Sequence, residues 1–575
     1  MTGMIAPDRG PRGSLVEVSG TDSTGTLPGA ARGVLAVVPP WWAARADSLG
    51  LSGRWLDVNQ AIEVQPPCRL DTGVHLDSSS MTLDKIDHDL GSAYIAALSP
   101  QVRAHHRRHY TPAPMAEELW AMARRALGLR RGVVQRLPGL IRDPACGAGA
   151  LLLPALREHL AAMRHTDPQV VLAELPLLIE GIDADPAAVW LANVALAAQM
   201  LPLLAAIPLR QRRPLPALIR LGDGLQVNQI AARAIVMNPP YGRVRLSLED
   251  RKRFAATLYG HANLYGLFLA AALEHLDQQS GVLAAVIPTS FTAGLYFRNL
   301  RAVMAKEAPL REAAFVVQRD GVFDGVLQET CLTIFSRRRS RTATISSLNG
   351  ARTNVARVKV PRGESPWLLP RCSDDASVAA AAMAMPLTLA RAGWRASTGP
   401  LVWNRRRKDL HSQPGRNRIP VLWAADLNGG VLHRNAVRDH LRYLELTEPS
   451  DTAVMVLTKP AVLVQRTTAP EQSRRLVATE LTTELIEQWG GAVVVENHVN
   501  VLRPTTATRL LDHGILARIL STATLDKVMR CMSGSVAVSA YELQALPLPA
   551  GDVLRGWAVL SGESLETAVA AAYQL

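Results

Sequence analysis

The sequence predicts an α/β protein, a doubly wound, Rossmann-like parallel sheet with a mixed α+β domain after it. Three observations predict this. Between about residues 95 and 340, short β-like runs alternate with long Ala/Leu-rich helical stretches, the pattern that parallel strands joined by helical crossovers require. Three of those runs end on acids forty residues apart, Asp143, Asp183 and Asp223. After residue 340 the alternation stops, and shorter strands, turns such as DLNGGV and helical pieces such as TRLLDHGILARILSTATLDKVMRCM take over.

Taken in order, the strands are expected in GLIRD, LLIEGIDAD, ALIRLGDG, AIVMNPP, GVLAAVIPTSF, AAFVVQRD and TCLTIFSR. Residues 1–90 are rich in Gly, Pro, Ser and Thr, lack sustained periodicity and contain the patch VVPPWWAARA. They read as loosely ordered or a small appendage, with Met81 a second candidate start. Residues 95–340 form the first folded domain, 341–550 the second, and 551–575 a C-terminal tail. A chain of 575 residues that is 48% hydrophobic has material for about two to four cores.

The longest apolar stretch, LANVALAAQMLPLLAAIPL from Leu191, contains Asn193, Gln199 and two prolines. It reads as helix, break and loop rather than a membrane span. The N-terminus has no apolar run after a charged start, and the five cysteines are scattered, so neither a secretory leader, a disulfide framework nor a zinc site is expected. The expected location is the cytoplasm, with no membrane partner.

Net charge is +13, and residues 336–419 alone hold 17 Lys and Arg against four acids. One basic zone therefore sits in an otherwise balanced chain. A charge run by itself is a solvated surface as readily as a binding face; with the motifs below it favours a polyanion partner.

The first motif is IRDPACGAGALLLPAL: an apolar run, Asp143, a tight Gly147-Ala148-Gly149 turn and a helix start. Glycines there let backbone approach a ligand and leave helix N-terminal amides facing it, although a plain strand-to-helix turn has the same composition. Asp183, in IEGIDADP, can accept both hydroxyls of a ribose. Asp223, in RLGDGL, is placed to accept from an adenine amino group. A lone strand-end acid is commonly a helix cap; three at successive strand ends point to a ligand where carboxyl ends converge. The fourth run ends in Asn238, Pro239, Pro240 and Tyr241, again composed like an ordinary turn.

DPACGAG followed 95 residues after Asp143 by NPPY resembles the S-adenosylmethionine-dependent N6-adenine DNA methyltransferases. Upstream, RRHYTPAPMAEELW is similar to the motif that precedes the cofactor loop in one subclass; it departs from that motif in having no Gly before the aromatic pair. Downstream, NLYGLFLAAALEHLDQQSGVLAAVIPTSF and FDGVLQETCLTIFSR resemble the later elements of that subclass. The order is the gamma arrangement, and VLVQRTTAPEQSRRLVA, ENHVNVLRP and SGSVAVSAYELQALPLP further resemble BsuBI/PstI-type modification enzymes. The resemblance spans roughly residues 100–550.

It implies a class I methyltransferase domain and a C-terminal target recognition domain. It also implies S-adenosyl-L-methionine at Tyr110, Thr111, Pro112, Asp143, Pro144, Ala145, Cys146, Gly147, Gly149, Asp183 and Asp223, and catalysis by Asn238, Pro239, Pro240 and Tyr241. Its partners would be double-stranded DNA and a separately encoded restriction endonuclease, since no nuclease motif is found in the chain. Tyr110, Phe268, Phe291 and Tyr265 could line the base or cofactor pocket, but each reads more readily as ordinary core.

The chemistry accounts for the residue types. An adenine N6 lone pair is delocalised into the ring, so the amine must be drawn toward tetrahedral geometry and held in line with the methyl group. The Asn238 side-chain oxygen and the Pro239 carbonyl can take its two protons. Prolines fix φ and carry no N–H, keeping the turn rigid. Tyr241 can stack on a flipped-out base. No metal is required. Arg405, Arg406, Arg407 and Lys408 are the expected phosphate contacts. Cytosine N4, RNA adenine or protein glutamine as acceptors, and a noncatalytic DNA-specificity subunit, remain open alternatives.

Overall fold

A computed structural model describes residues 27–69, 90–99, 111–226, 230–317, 329–428, 430–434, 439–468, 472–505, 510–533 and 537–575. The chain divides into two compact units, residues 1–287 with 302–343, and residues 288–301 with 344–575.

Seven strands make the sheet of the first unit: β1 (Ile141–Asp143), β2 (Ile179–Asp183), β3 (Ile219–Leu221), β4 (Ala234–Met237), β5 (Val282–Pro288), β6 (Leu310–Val316) and β7 (Thr330–Ser336). Their spatial order is β3-β2-β1-β4-β5-β7-β6. The doubly wound fold expected from the alternation is the one observed. Pairing is parallel from β3 through β5, and β6 pairs antiparallel with β7. Every residue of β4 and β5 is buried, which is why these strands are continuous apolar runs instead of alternating ones. The order in which strands are added switches sides at β1, with β2 on one side and β4 on the other. Their carboxyl ends therefore open a crevice beside β1, the place where ligands of such sheets bind.

The helices of this unit are α1 (Gly29–Ser48), α2 (Val58–Ile62), α3 (Leu90–Ala97), α4 (Ala113–Leu127), α5 (Leu153–Ala162), α6 (Pro168–Leu178), α7 (Pro186–Ala206) and α8 (Leu264–His275). The weak periodicity of the first 90 residues is not looseness over 29–62. Helices α1 and α2, with α3, pack on α7. Trp42 is fully buried and its ring N–H donates to the Trp55 carbonyl, while Trp190 on α7 donates to Asn59 at 3.1 Å. The helical period is blurred because α1 buries apolar residues on several sides and contains Pro39 and Pro40. Met81 lies outside the described residues.

Helix α7 also corrects the expected break. It runs through Pro202 and ends only at Ala206, since one missing N–H costs less than exposing a helix buried against β2, β3 and the N-terminal helices. It is long and apolar enough to cross a membrane by length and composition, but 78% of that stretch is buried in the protein.

The second unit begins, after residue 343, with neighbouring strands β8 (Thr342–Asn349) and β9 (Ala351–Lys359). It then builds an antiparallel sheet from β10 (Trp394–Thr398), β15 (Ala461–Gln465), β16 (Ala478–Leu481) and β18 (Val499–Pro504), in the order β10-β18-β15-β16. A five-stranded sheet holds β11 (Leu410–His411), β12 (Arg418–Leu422), β13 (Tyr443–Glu445), β14 (Val456–Leu457) and β17 (Val493–Val495), ordered β11-β13-β12-β17-β14. Helices α9 (Ala376–Ala384), α10 (His513–Leu520), α11 (Ala523–Met532), α12 (Gly551–Trp557) and α13 (Gly562–Ala572) complete it.

Two expected boundaries change. Residues 551–575 are not a tail: Leu554, Trp557, Leu565, Val569 and Tyr573 are buried in the unit's main core, and the Tyr573 hydroxyl donates to the Pro547 carbonyl at 2.6 Å. Residues 288–301, expected inside the 95–340 domain, belong to the second unit, where the Phe291 ring meets Trp367 edge-on at 5.3 Å.

Candidate active site

The loop after β1 is held almost wholly by its own backbone and two acids. Asp143 is 1% exposed, and its Oδ1 accepts the Ala145 N–H at 3.0 Å. The Cys146 N–H donates to the Ile182 carbonyl at 3.0 Å, tying the loop to β2. Gly147, at φ +52°, donates its N–H to Asp183 Oδ2 at 2.8 Å; Asp183 Oδ1 accepts the Asp185 N–H at 2.9 Å. Gly149 needs glycine twice over: its φ is +87°, and a Cβ would stand 3.3 Å from that of Ala192 on α7. Pro144 and Ala145 complete the turn. Burial pushes the Asp143 carboxyl well above the usual carboxylate range, with the neighbouring Asp183 adding to it. The same burial and both acids hold the Cys146 thiol protonated, so it is not a nucleophile.

Asp223 follows β3. Its Oδ1 accepts the Leu225 N–H at 2.9 Å, whereas its buried Oδ2 has no hydrogen-bond partner among the described residues. Burial raises this carboxyl as well. An unpaired buried acceptor is costly, and here it stands at the sheet edge where an amino donor would satisfy it. Gly224 beside it was not singled out from sequence, yet a Cβ there would lie 1.7 Å from the Pro144 carbonyl and 3.1 Å from Phe268. The second glycine of GDG was the available signal: it lets the loops after β1 and β3 touch through backbone.

Asn238 ends β4, where an apolar strand gives way to two prolines. Its amide is held at both ends. The Nδ2 donates to Thr111 Oγ1 at 2.9 Å, and its Oδ1 accepts the Tyr241 hydroxyl at 2.8 Å. The Tyr241 oxygen is also 3.3 Å from the Val286 carbonyl on β5, and burial keeps the phenol protonated. Thr111 is buried, just before α4, where Pro112 occupies the cap position. Tyr110 lies outside the described residues.

Tyr241, expected as a stacking platform, is only 6% exposed and meets Tyr265 edge-on at 5.9 Å. Its ring offers no open face in this conformation. Tyr265, Phe268 and Phe291 are buried, as core readings of them require.

Residues 228–323 match the family described as Eco57I restriction-modification methylase. The matched segment contains β4, the Asn238–Tyr241 turn, α8 and β5. Over 332 residues, 56% of the chain, the sequence is 24% identical to "Type II methyltransferase M.BsuBI" of Bacillus subtilis. It is 26% identical over 335 residues to "Type II methyltransferase M.PstI" of Providencia stuartii. The chain spans 65% of the length of each of these relatives. Among solved structures it is similar to the type IIG restriction endonuclease BpuSI, with 14% identity, a TM-score of 0.45, and 95% of this chain and 77% of that one covered. The resemblance to restriction–modification methyltransferases read from the motifs is thus met again in the methylase segment and beyond it.

The expected DNA contacts lie in the second unit, and one of the four is corrected. Arg405, Arg407 and Lys408 are exposed. Arg406 is buried: its guanidinium grips Asp451 bidentately at 2.7 and 2.9 Å and Asp409 at 2.5 Å. These bonds hold the Asp451 carboxyl down at about 2. A side chain turned inward onto two acids is structural, whatever the charge of its neighbours in sequence.

Proposed function

We propose that this chain is a site-specific DNA methyltransferase that transfers a methyl group from S-adenosyl-L-methionine to N6 of a flipped-out adenine in double-stranded DNA. The observation that carries this reading is the convergence of Asp143, Asp183, Asp223 and Asn238 at the carboxyl ends of four successive strands, β1 to β4. The unpaired Asp223 Oδ2 and the open space beside Gly147 fit the cofactor: the first as acceptor for its adenine amino group, the second as room for close backbone approach. Asp183 offers a carboxylate to its ribose, and Pro112 and the 143–149 loop bound its methionine end. When bound, the cofactor supplies an electrophilic methyl group.

The chain's own residues prepare the acceptor. Asn238 Oδ1 and the Pro239 carbonyl accept hydrogen bonds from the two N6 N–H groups, which draws the lone pair out of the ring and aims it. In the net reaction the amine exchanges one proton for the methyl group. The Tyr241 hydroxyl uses one of the two lone pairs of Asn238 Oδ1, which leaves the other for the amine, and the Val286 carbonyl at 3.3 Å is a second acceptor for the hydroxyl. For the Tyr241 ring to carry the base, the groups covering it must move aside. Exposed Arg405, Arg407 and Lys408 neutralise phosphates, and the second unit reads the target sequence. We assign the chain to modification within a restriction–modification system, with cleavage by a separate nuclease.

Sequencing of modified bases in DNA from a host expressing the chain tests the whole reading. N6-methyladenine at one recurring sequence is expected; N4-methylcytosine, or no new base, would overturn it.

A further inference from the structure

We infer that Thr111 is a positioning residue for the Asn238 amide, an inference that rests on the proposed amine methylation. An asparagine amide is nearly symmetric in shape but opposite in chemistry at its two ends. For Asn238 to accept an amine proton, Oδ1 must face the substrate and Nδ2 must face away. Turned over, the amide would set a donor against the donor it has to receive.

In the structure the amide stands in that orientation and is held at both ends. Nδ2 donates to Thr111 Oγ1 at 2.9 Å, and Oδ1 accepts from the Tyr241 hydroxyl at 2.8 Å. Thr111 is 6% exposed, so water does not readily replace its hydroxyl as partner. Its neighbour Pro112 has φ −58° and caps α4, and α4 packs on β4 and β7. The acceptor is therefore mounted on the same sheet as the amide it orients. The two residues are 127 positions apart, so this links the upstream TP motif to the NPPY turn by a side-chain bond and gives Thr111 a role distinct from touching the cofactor.

The test uses Thr111→Val, which removes the hydroxyl at nearly constant shape, and Thr111→Ser, which keeps it, in the full chain. Methyl transfer from labelled S-adenosylmethionine to unmethylated plasmid DNA is followed at saturating cofactor, and cofactor Kd is measured by calorimetry. Thr111→Val should lower kcat by about 10- to 100-fold, as small misplacements of reacting groups do, with cofactor Kd and the KM for DNA within about twofold of wild type. Thr111→Ser should recover kcat to within about threefold. Three results would overturn the inference: an unchanged kcat in Thr111→Val, a loss confined to cofactor Kd, or a serine variant as impaired as the valine one. If the wild-type chain methylates no exocyclic amine, the underlying reading fails first and the inference falls with it.

Discussion

Two clusters of ionisable side chains, one in each unit, differ in how they are satisfied. In the first unit Asp143, Asp183 and Asp223 collect where strands end. Asp143 and Asp223 are pushed up by burial, and one oxygen of Asp223 has no partner among the described residues. In the second, Arg406 is closed on Asp409 and Asp451, and Asp451 further accepts the Thr447 and Glu448 N–H groups, each at 3.0 Å. A buried charge with its bonds complete holds a fold. One with a bond missing at the mouth of a crevice is prepared for a ligand, because binding removes the penalty that folding left in place.

That contrast can be broken by substitution, starting with the largest effect. Asn238→Ala should reduce methyl transfer by about a thousandfold or more, losing the positioned acceptor, with thermal stability and cofactor affinity near wild type; normal turnover would remove Asn238 from the chemistry. Arg406→Ala should cost about 3–5 kcal/mol of stability in urea titration, the usual result of leaving a buried partner unpaired. A variant as stable as the parent would return Arg406 to the exposed set. The pH dependence follows from the same pair. The Asp451 carboxyl lies at about 2 when folded, below its unfolded value, so the stability it contributes is present above about pH 4 and is lost as pH falls toward 2; Arg406→Ala should flatten that acid limb.

Asp183→Ala should weaken cofactor binding about 10- to 100-fold by calorimetry, since a charged hydrogen-bonding group is removed from both ligand and loop. Unchanged affinity would take it out of the site. Neutralising Arg405, Arg407 and Lys408 should lower affinity for all DNA sequences and reduce the salt slope by about 0.9 for each phosphate no longer neutralised. An unaltered slope would leave these side chains as solvated surface. Smallest of all, Asp143→Asn should stabilise the cofactor-free chain at neutral pH by about 1 kcal/mol, because a buried ionised carboxyl is relieved. The sign follows from a folded value raised above the unfolded one: the penalty grows as pH rises, so the gain should vanish below about pH 4. A gain that persisted in acid would have another origin.

Much of the first unit was legible in the sequence because its signals are local. Seven apolar runs, most of them separated by helical stretches, make seven strands, and acids or an amide at the ends of the first four must fall at one edge once those strands are parallel. Elsewhere local signals misled for identifiable reasons. The first helices lack a clean period because α1 is buried on more than one side. The last 25 residues lie beyond the reach of the resemblance and read as a tail, yet their Leu, Trp and Tyr side chains complete a core built from strands far away in sequence.

Within the run Arg405-Arg406-Arg407-Lys408 the sequence by itself determined only that charge is concentrated there. Which of the four turns inward was decided by Asp451, 45 residues away from Arg406, and no periodicity carries such information. The sequence likewise determined that Asn238, Pro239, Pro240 and Tyr241 terminate a buried strand beside three strand-end acids, since chain order and hydrophobic pattern dictate where that strand stops. Only the tertiary structure decided what holds the Asn238 amide in place, because the hydroxyl groups at its two ends, those of Thr111 and Tyr241, are brought there by folding.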